Sequence, residues 1–225
     1  MLNQFENLSC YEELEIRSTL FDISKIDILK EIGHQIDSYY FFISEDGIFN
    51  WFDLKGNHIK DPGILKELNR EYIPKTISKC IIPDSVTCIG FEAFWDCSAL
   101  KEIVIPSSIT RIDYRAFSHC YSLKEITIPD SVTHISTFVF SFCTSLTSIT
   151  IPDSVISIGY KAFHFCTALT SVTISRNIQN IKFDAFFGCN AIKEVIFKGK
   201  TLDEVKQMWN YPFGIKDESI IKCEM

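Results

Sequence analysis

Apolar and polar residues between positions 82 and 196 follow one pattern that repeats every 23 residues. A fixed repeat of roughly 20 to 50 residues is typical of a solenoid, in which similar units stack and bury a shared core. A partial unit, Ile77–Pro83, precedes the complete ones, and another follows at Val195–Phe197. The pattern predicts a repeat solenoid over residues 63–197. Its complete units are 82–104, 105–127, 128–150, 151–173 and 174–196.

Each unit contains two extended segments separated by a proline turn. In the first segment, apolar residues such as Ile103 and Ile105 alternate with polar ones, which predicts a short strand with one face inward. Proline then ends the ladder because it has no N–H to donate. The second segment, Val86–Ile89 in the first unit, has two apolar positions three apart. We expect short parallel strands and a fold class between α/β and mainly β. The other alternating pairs are Ile126/Ile128 and Ile149/Ile151.

Two columns of identical residues are predicted to fill the interior of the stack. A small residue beside phenylalanine lets successive coils nest closely while the rings stack. The cysteines recur in one column, where parallel Cβ directions suit a disulfide poorly, so we expect reduced, buried thiols. The columns are Phe94, Phe117, Phe140, Phe163 and Phe186, and Cys97, Cys120, Cys143, Cys166 and Cys189.

The shared pattern is I-P-[DS]-S-[VI]-x-x-I-x-x-x-A-F-x-x-C-x-x-L-x-x-[IV]-x. It resembles the 23-residue leucine-rich repeats of the BspA-like family of bacterial surface antigens, and residues 77–197 carry the resemblance. The resemblance implies a right-handed, curved solenoid with a parallel sheet on its concave face. It also implies a role in binding proteins, including adhesion in members located at the cell surface.

Residues 1–62 do not follow the period and are predicted to form a small α+β unit, either a cap on the stack or a separate module. Apolar residues at helical spacing predict a helix from Asp22 to Gln35. Tyr39–Ile43 and Ile48–Phe52 flank turn-forming residues and predict a β-hairpin. The spacing of apolar residues from Gly63 to Tyr72 predicts a short helix leading into the solenoid.

Residues 198–225 are predicted to cap the other end, because exposed strand edges invite unwanted pairing. Thr201 and the acids after it indicate the start of a helix. Leu202, Val205 and Trp209 would form its apolar face. Ile220–Cys223 then predicts a last strand beside Val195–Phe197.

Composition narrows the function classes. The chain has 29 acidic and 22 basic residues, so it lacks the basic excess that binding to a phosphate backbone requires, and nucleic acid is not expected as a partner. Neither a secretory signal nor an apolar run long enough for a membrane helix is visible. We therefore expect a cytoplasmic location by default and no membrane insertion, with the cell surface or secretion by an unrecognised route as the alternative.

Residues suited to catalysis or metal binding are scarce. The sequence has no CxxC pair and no nucleotide-binding or hydrolase motif, so no cofactor, metal site or catalytic residue is predicted. Asp84, Asp130 and Asp153 form an acidic column, but their place between proline and serine favours turns. We expect a non-enzymatic scaffold that binds another protein. The alternative is a surface adhesin that binds host or matrix proteins, and an enzyme in the N-terminal unit, near Trp51, His58 and Asp61, is a distant third.

Two surfaces are candidates for binding. The outward positions of the predicted concave sheet carry Lys-Glu pairs and threonines, although such residues are also common on any solvated sheet. A row of aromatic residues, which we call the aromatic ridge, would mark a contact site if exposed, or would only pack coil against coil if buried. The sheet residues are Lys101, Glu102, Lys124, Glu125, Lys193 and Glu194, and the ridge is Phe91, Tyr114, Phe138, Tyr160 and Phe183.

Overall fold

The computed structural model describes residues 34–36, 39–43, 47–53 and 58–224. The repeat region is a parallel-strand β-solenoid of about seven turns with almost no helix. The predicted repeat stack is therefore confirmed, and its fold class is mainly β. Within the described ranges, helix is confined to Leu202–Lys206 and to two 3-10 turns, Arg70–Tyr72 and Glu218–Ile220.

The first extended segments of successive coils pair in parallel, and we call this row the first ladder. Each step advances by one repeat, with Val172 opposite Ile149 and Val195 opposite Val172. All three side chains are buried, as the alternating pattern predicts. The strands are Lys79–Ile81, Glu102–Val104, Ser148–Thr150, Ser171–Ile174, Glu194–Lys198 and Ile221–Glu224.

The first ladder is interrupted at residues 125–127. This segment forms no strand, so Glu102–Val104 and Ser148–Thr150 belong to separate sheets. The Ile126/Ile128 pair predicts a strand here, and that prediction is wrong. Both isoleucines are nevertheless buried, because alternation decides which way side chains point and not whether the main chain lies close enough to its neighbours to pair.

The second extended segments form an unbroken ladder of six short parallel strands, which we call the second ladder. Its apolar residues three apart, such as Val86 and Ile89, are fully buried. The strands are Glu67–Leu68, Cys88–Ile89, Arg111–Ile112, His134–Ile135, Ser157–Ile158 and Asn180–Ile181.

The predicted helix from Gly63 to Tyr72 is wrong, because this segment begins the second ladder. Leu68 pairs with Ile89, and the Thr87 and Gly90 N–H groups donate to carbonyls of the segment at 2.8 and 2.9 Å. Buried residues three apart suit both a helix and this strand type. Leu68 precedes Ile89 by two residues fewer than the 23-residue repeat, so the repeat pattern does not show that the two residues occupy equivalent positions in successive coils.

A third ladder joins the turns that carry the Ala-Phe pairs. The N–H groups of Phe94, Phe117 and Phe140 donate to carbonyls of the following coil at 2.8–2.9 Å. This geometry has left-handed backbone at two positions four residues apart in each unit, and at the first of them φ lies between 52° and 57°. A non-glycine residue in that region costs roughly 1–2 kcal/mol, which the inter-coil hydrogen bonds offset. The residues at the first position are Glu92, Arg115, Phe138, Lys161 and Asp184, and those at the second are Asp96, His119, Phe142, Phe165 and Gly188.

The phenylalanine and cysteine columns lie in the interior of the stack. Ring centroids of neighbouring phenylalanines are 5.1–5.6 Å apart, with nearly parallel planes. Each thiol lies near a main-chain carbonyl of a neighbouring coil, as between Cys166 Sγ and the Phe140 oxygen at 3.1 Å. All eight cysteines among the described residues are free thiols.

The N-terminal strands pack on the first coil. His34–Ile36, Tyr39–Ile43, Phe49–Asp53 and His58–Ile59 form an antiparallel sheet, which confirms the predicted hairpin. Phe41 is fully buried, with its ring 5.4 Å from that of Tyr72. The Ile81 N–H donates to the Gly47 carbonyl at 2.9 Å. The predicted helix from Asp22 lies outside the described residues except at its end, where Gln35 is in a strand.

At the other end, the predicted last strand is observed, because Ile221–Glu224 pairs in parallel with the Glu194–Lys198 strand. The helix begins at Leu202, and Thr201 before it is the N-cap residue, which forms a capping box with Glu204. It ends at Lys206, so the predicted helical face is wrong: Val205 is buried, but Trp209 is 79% exposed. The helix is too short to carry a face as far as residue 209.

Candidate functional site

The third ladder places the aromatic ridge on the surface. In four units the ridge residue directly precedes a left-handed residue, one step before the buried Ala-Phe pair. At residue 137 the row has threonine, and the aromatic position passes to Phe138, itself left-handed. The sequence shows the row of aromatic residues, but the direction of their side chains depends on left-handed backbone at the next residue. The types of residue at those positions do not predict a left-handed conformation.

The five ridge residues form one continuous row of ring contacts. Neighbouring centroids are 5.4 Å apart for Phe91 and Tyr114, 6.0 Å for Tyr114 and Phe138, 5.4 Å for Phe138 and Tyr160, and 6.5 Å for Tyr160 and Phe183. Phe91 and Phe183 are each 58% exposed, and Tyr160 is 37% exposed. The rings therefore pack coil against coil and also remain open to solvent, so the two alternatives for the ridge do not exclude each other.

Cations lie over the ridge. The Arg115 guanidinium is 5.0 Å from the Tyr114 ring and 5.3 Å from the Phe138 ring, and the Lys161 ammonium is 5.1 Å from the Tyr160 ring. Contacts of this kind contribute about 0.5–1 kcal/mol at exposed sites. The ridge can thus offer a partner both apolar area and positive charge.

A second aromatic row runs beside the ridge. His119 stacks on Phe142 at 4.8 Å, and Phe142 stacks on Phe165 at 5.3 Å. Burial lowers the pKa of His119, since the charged imidazolium is poorly solvated there. The half-exposed Phe187 ends the row, and Trp95 begins it with its ring 6.1 Å from that of His119.

The predicted sheet-surface residues follow the course of the first ladder, with Lys124 and Glu125 at its interruption, and most of them are exposed. Glu102 forms an ion pair with Lys79 at 3.4 Å, and Glu194 forms one with Lys222 at 3.0 Å. Exposed ion pairs of this kind contribute about 0–1 kcal/mol and are common on solvated sheets. Lys101, Lys124, Glu125 and Lys193 are exposed beside them.

Asp61, one of the residues considered for catalysis, has structural partners. It accepts hydrogen bonds from the Gly63 N–H at 2.8 Å and from the Ser85 hydroxyl at 2.6 Å. The side chains of Trp51 and His58 lie outside the described part of the structure. Arg176 pairs with Asp153 at 3.4 Å on the edge where the acidic column lies.

The thiols of the cysteine column have raised pKa values. Burial raises the pKa of Cys143 to about 12 and that of Cys97 to about 11, because a thiolate would be poorly solvated in the core. Burial likewise raises the pKa of Cys120 and Cys166. Since the thiolate is the nucleophilic form, these groups are poor nucleophiles near neutral pH.

The raised thiol pKa values predict that stability falls in alkali. The Cys143 pKa is raised from 9.0 to about 12 on folding, so its contribution is complete below pH 9 and is lost as pH rises toward 12. We expect the free energy of unfolding, measured by urea denaturation, to decrease across this range. Cys143→Ala should make the decrease shallower. An identical pH dependence in both proteins would contradict the assignment to this thiol.

Comparison with known proteins gives one family match and several structural ones. Residues 71–193 match the model of the BspA type leucine rich repeat region in six copies. No curated protein matches the chain. A leucine-rich repeat protein from T. pallidum is 31% identical, with a TM-score of 0.55, and the match covers 60% of this chain and 67% of that one.

Two further solved structures share the fold at lower identity. A leucine-rich cell surface protein from Faecalibacterium prausnitzii is 23% identical, with a TM-score of 0.57, over 79% of this chain and 42% of its own. The pneumococcal vaccine antigen PcpA is 23% identical, with a TM-score of 0.56, over 67% of this chain and 37% of its own. This chain therefore spans less than half the length of either protein.

Proposed function

The chain belongs to the BspA-type leucine-rich repeat family, and from this premise we propose that it is a non-enzymatic scaffold that binds another protein through the aromatic ridge. The observation that carries the proposal is the exposure of Phe91, Tyr160 and Phe183 within one row of contacting rings. Large contiguous apolar patches on soluble proteins usually mark contact sites. Aromatic residues and arginine are also the residue types that most often dominate interface energies.

The stack suits the ridge to binding. Its rings are attached to turns whose main chain is hydrogen-bonded to the next coil, so little side-chain or backbone freedom is lost when a partner binds. The partner would contact several coils at once, since the five rings come from five successive units. A rigid surface of this kind favours a partner with a complementary apolar groove or exposed apolar side chains.

Substitution of two ridge residues tests the proposal. In a pull-down with the intact protein, Phe91→Ser combined with Tyr160→Ser should reduce partner recovery at least tenfold, since each aromatic anchor contributes about 1–2 kcal/mol or more. The fold should persist, because both side chains are exposed. Thermal unfolding followed by circular dichroism checks this.

The matched control is Val104→Ser, which removes an exposed apolar side chain from the first ladder, 53% exposed, and leaves the ridge intact. This variant should recover the partner as well as the unaltered protein does. Unchanged recovery by the folded ridge variant would mean that the ridge is not the binding surface.

A second candidate function is that of a surface adhesin that binds host or matrix proteins. Two structural relatives support it, because one is described as a cell surface protein and the other as a vaccine antigen. No helix among the described residues is long and apolar enough to cross a membrane. Protease treatment of intact source cells tests the location: loss of the protein from unbroken cells supports the surface, and survival supports the cytoplasm.

A further inference from the structure

The C-terminal end of the stack leaves one of the three ladders open. At the end of the second ladder, the Asn210 side-chain amide donates to the Ile181 carbonyl at 3.3 Å. At the end of the third, the Phe213 carbonyl accepts from the Phe186 N–H at 3.0 Å. The first ladder ends in the strand Ile221–Glu224, which among the described residues pairs only with the strand before it. Its other edge is therefore unpaired within this part of the chain.

The main-chain groups at this open edge belong to Ile221 and Cys223. The Gly199 N–H donates to the Glu224 carbonyl at 2.6 Å, so the main-chain groups of Glu224 point toward the preceding strand. Because successive residues of a strand direct these groups to opposite edges, those of Ile221 and Cys223 point toward the open one. The Ile221 N–H donates to the Glu218 carbonyl, whereas Cys223 presents both a donor and an acceptor.

The charges on the outer face of this strand are self-complementary in one register. Ile221 is buried and Cys223 is half-buried, whereas Lys222 and Glu224 are exposed. Charged side chains usually protect an edge from pairing. Here they have opposite signs, so in an antiparallel pair centred on Cys223 each Lys222 lies opposite the Glu224 of the other copy, which is a favourable cross-strand pair. Centring the pair on Lys222 or on Glu224 would instead place like charges opposite each other.

We propose that two copies of this chain associate through the open edge as an antiparallel dimer centred on Cys223. The dimer has two-fold symmetry, so every contact occurs twice, as in most homodimers. The first ladders of the two copies then form one continuous sheet. The second copy also brings its Leu202 and Trp209, which are 41% and 79% exposed, to the same end of the stack. This surface is separate from the aromatic ridge and goes beyond the proposed function.

Sedimentation velocity of the full chain, carried to millimolar concentration, should show a dimer whose fraction rises with concentration. The paired strands are short, so the association is expected to be weak. Lys222→Glu and Glu224→Lys should each weaken dimerisation at least tenfold, because each places like charges opposite each other twice. General repulsion between two acidic chains predicts otherwise, since Glu224→Lys lowers the net negative charge and would then strengthen association.

Restoring the charge pairs tests the register. The double variant, Lys222→Glu with Glu224→Lys, keeps the native net charge and should dimerise within twofold of the unaltered chain. An equimolar mixture of the two single variants should form a heterodimer, because both cross-strand pairs again join opposite charges. The control is Glu194→Gln, which removes the ion pair that Lys222 makes within its own chain at 3.0 Å. It should not weaken association.

Cross-linking gives an independent test of the register. Two Cys223 residues directly opposite each other would have Cα atoms about 5.5 Å apart, within the range for a disulfide. Oxidation with copper-phenanthroline, which removes two electrons and two protons from the thiol pair, should join the two chains. Cys223→Ser should prevent this, because the other seven described cysteines are buried.

Four results would overturn the proposal. They are a monomer at millimolar concentration, stronger association of Glu224→Lys than of the unaltered chain, failure of both charge-restored combinations to dimerise, and a cross-linked yield that Cys223→Ser does not change. The ridge variant should dimerise normally, so failure of this contact can be told from failure of the ridge.

Discussion

Phe140→Ala is expected to lower the free energy of unfolding by about 3–5 kcal/mol. Its ring is fully buried and stacked between Phe117 at 5.6 Å and Phe163 at 5.3 Å. Removing it leaves a cavity at the centre of the column, and the hydrogen-bonded ladders on either side limit how far the coils can collapse into it. Urea denaturation followed by circular dichroism measures the change.

The control for this substitution is Phe183→Ala, which deletes the same ring from a site that is 58% exposed. It should cost less than about 1 kcal/mol, because exposed substitutions rarely cost more. Equal losses in the two variants would show that the phenylalanine column has no special part in stability. A second transition in Phe140→Ala alone would show that the two halves of the stack unfold separately, as neighbour-only contacts in repeat proteins allow.

Gly47→Ala is expected to destabilise the contact between the N-terminal hairpin and the first coil by about 3 kcal/mol or more. Gly47 has φ of +75°, and a Cβ atom there would lie 2.1 Å from the Lys79 carbonyl oxygen. The main chain must separate to make room, which breaks the hydrogen bond from the Ile81 N–H to the Gly47 carbonyl. Hydrogen exchange at Ile81 should therefore quicken.

Gly63→Ala is the matched control for this prediction. Gly63 has nearly the same φ, +71°, but no atom within 4 Å of an added Cβ. It should cost only about 1 kcal/mol, the strain of a left-handed non-glycine residue. If the two alanine variants are equally stable, the hairpin does not depend on close approach at Gly47.

The sequence predicts the repeat architecture because its signal is local and repeated. Phe94 and Cys97 recur at fixed offsets five times, and each recurrence is independent evidence for stacking. The hairpin at Tyr39–Ile43 is predicted for a similar reason, since two segments rich in aromatic residues and isoleucine flank a Gly-containing turn close together in the chain.

The sequence-based predictions that fail concern features that depend on contacts with neighbouring coils. The spacing of Leu65 and Leu68 fits both a helix and a short strand. Only the pairing of this segment with Cys88–Ile89 makes it a strand. The loss of pairing at residues 125–127 has no signal in the Ile126/Ile128 pattern. The ridge residues could be named from their period, but their exposure depends on left-handed backbone at residues such as Arg115 and Lys161.

The third ladder also gives the stack a direction. Every N–H group named in it donates toward the C-terminal coil, so the first end of this ladder presents carbonyl oxygens and its second end presents N–H donors. The Lys75 ammonium meets the Trp95 carbonyl at the first end, and the Phe213 carbonyl accepts from Phe186 at 3.0 Å at the second. The terminal segments are therefore not interchangeable. A whole 23-residue unit inserted between two others would accept hydrogen bonds from the coil before it and donate them to the coil after it. Lengthening by internal duplication is compatible with this polarity, and exchange of the two ends is not.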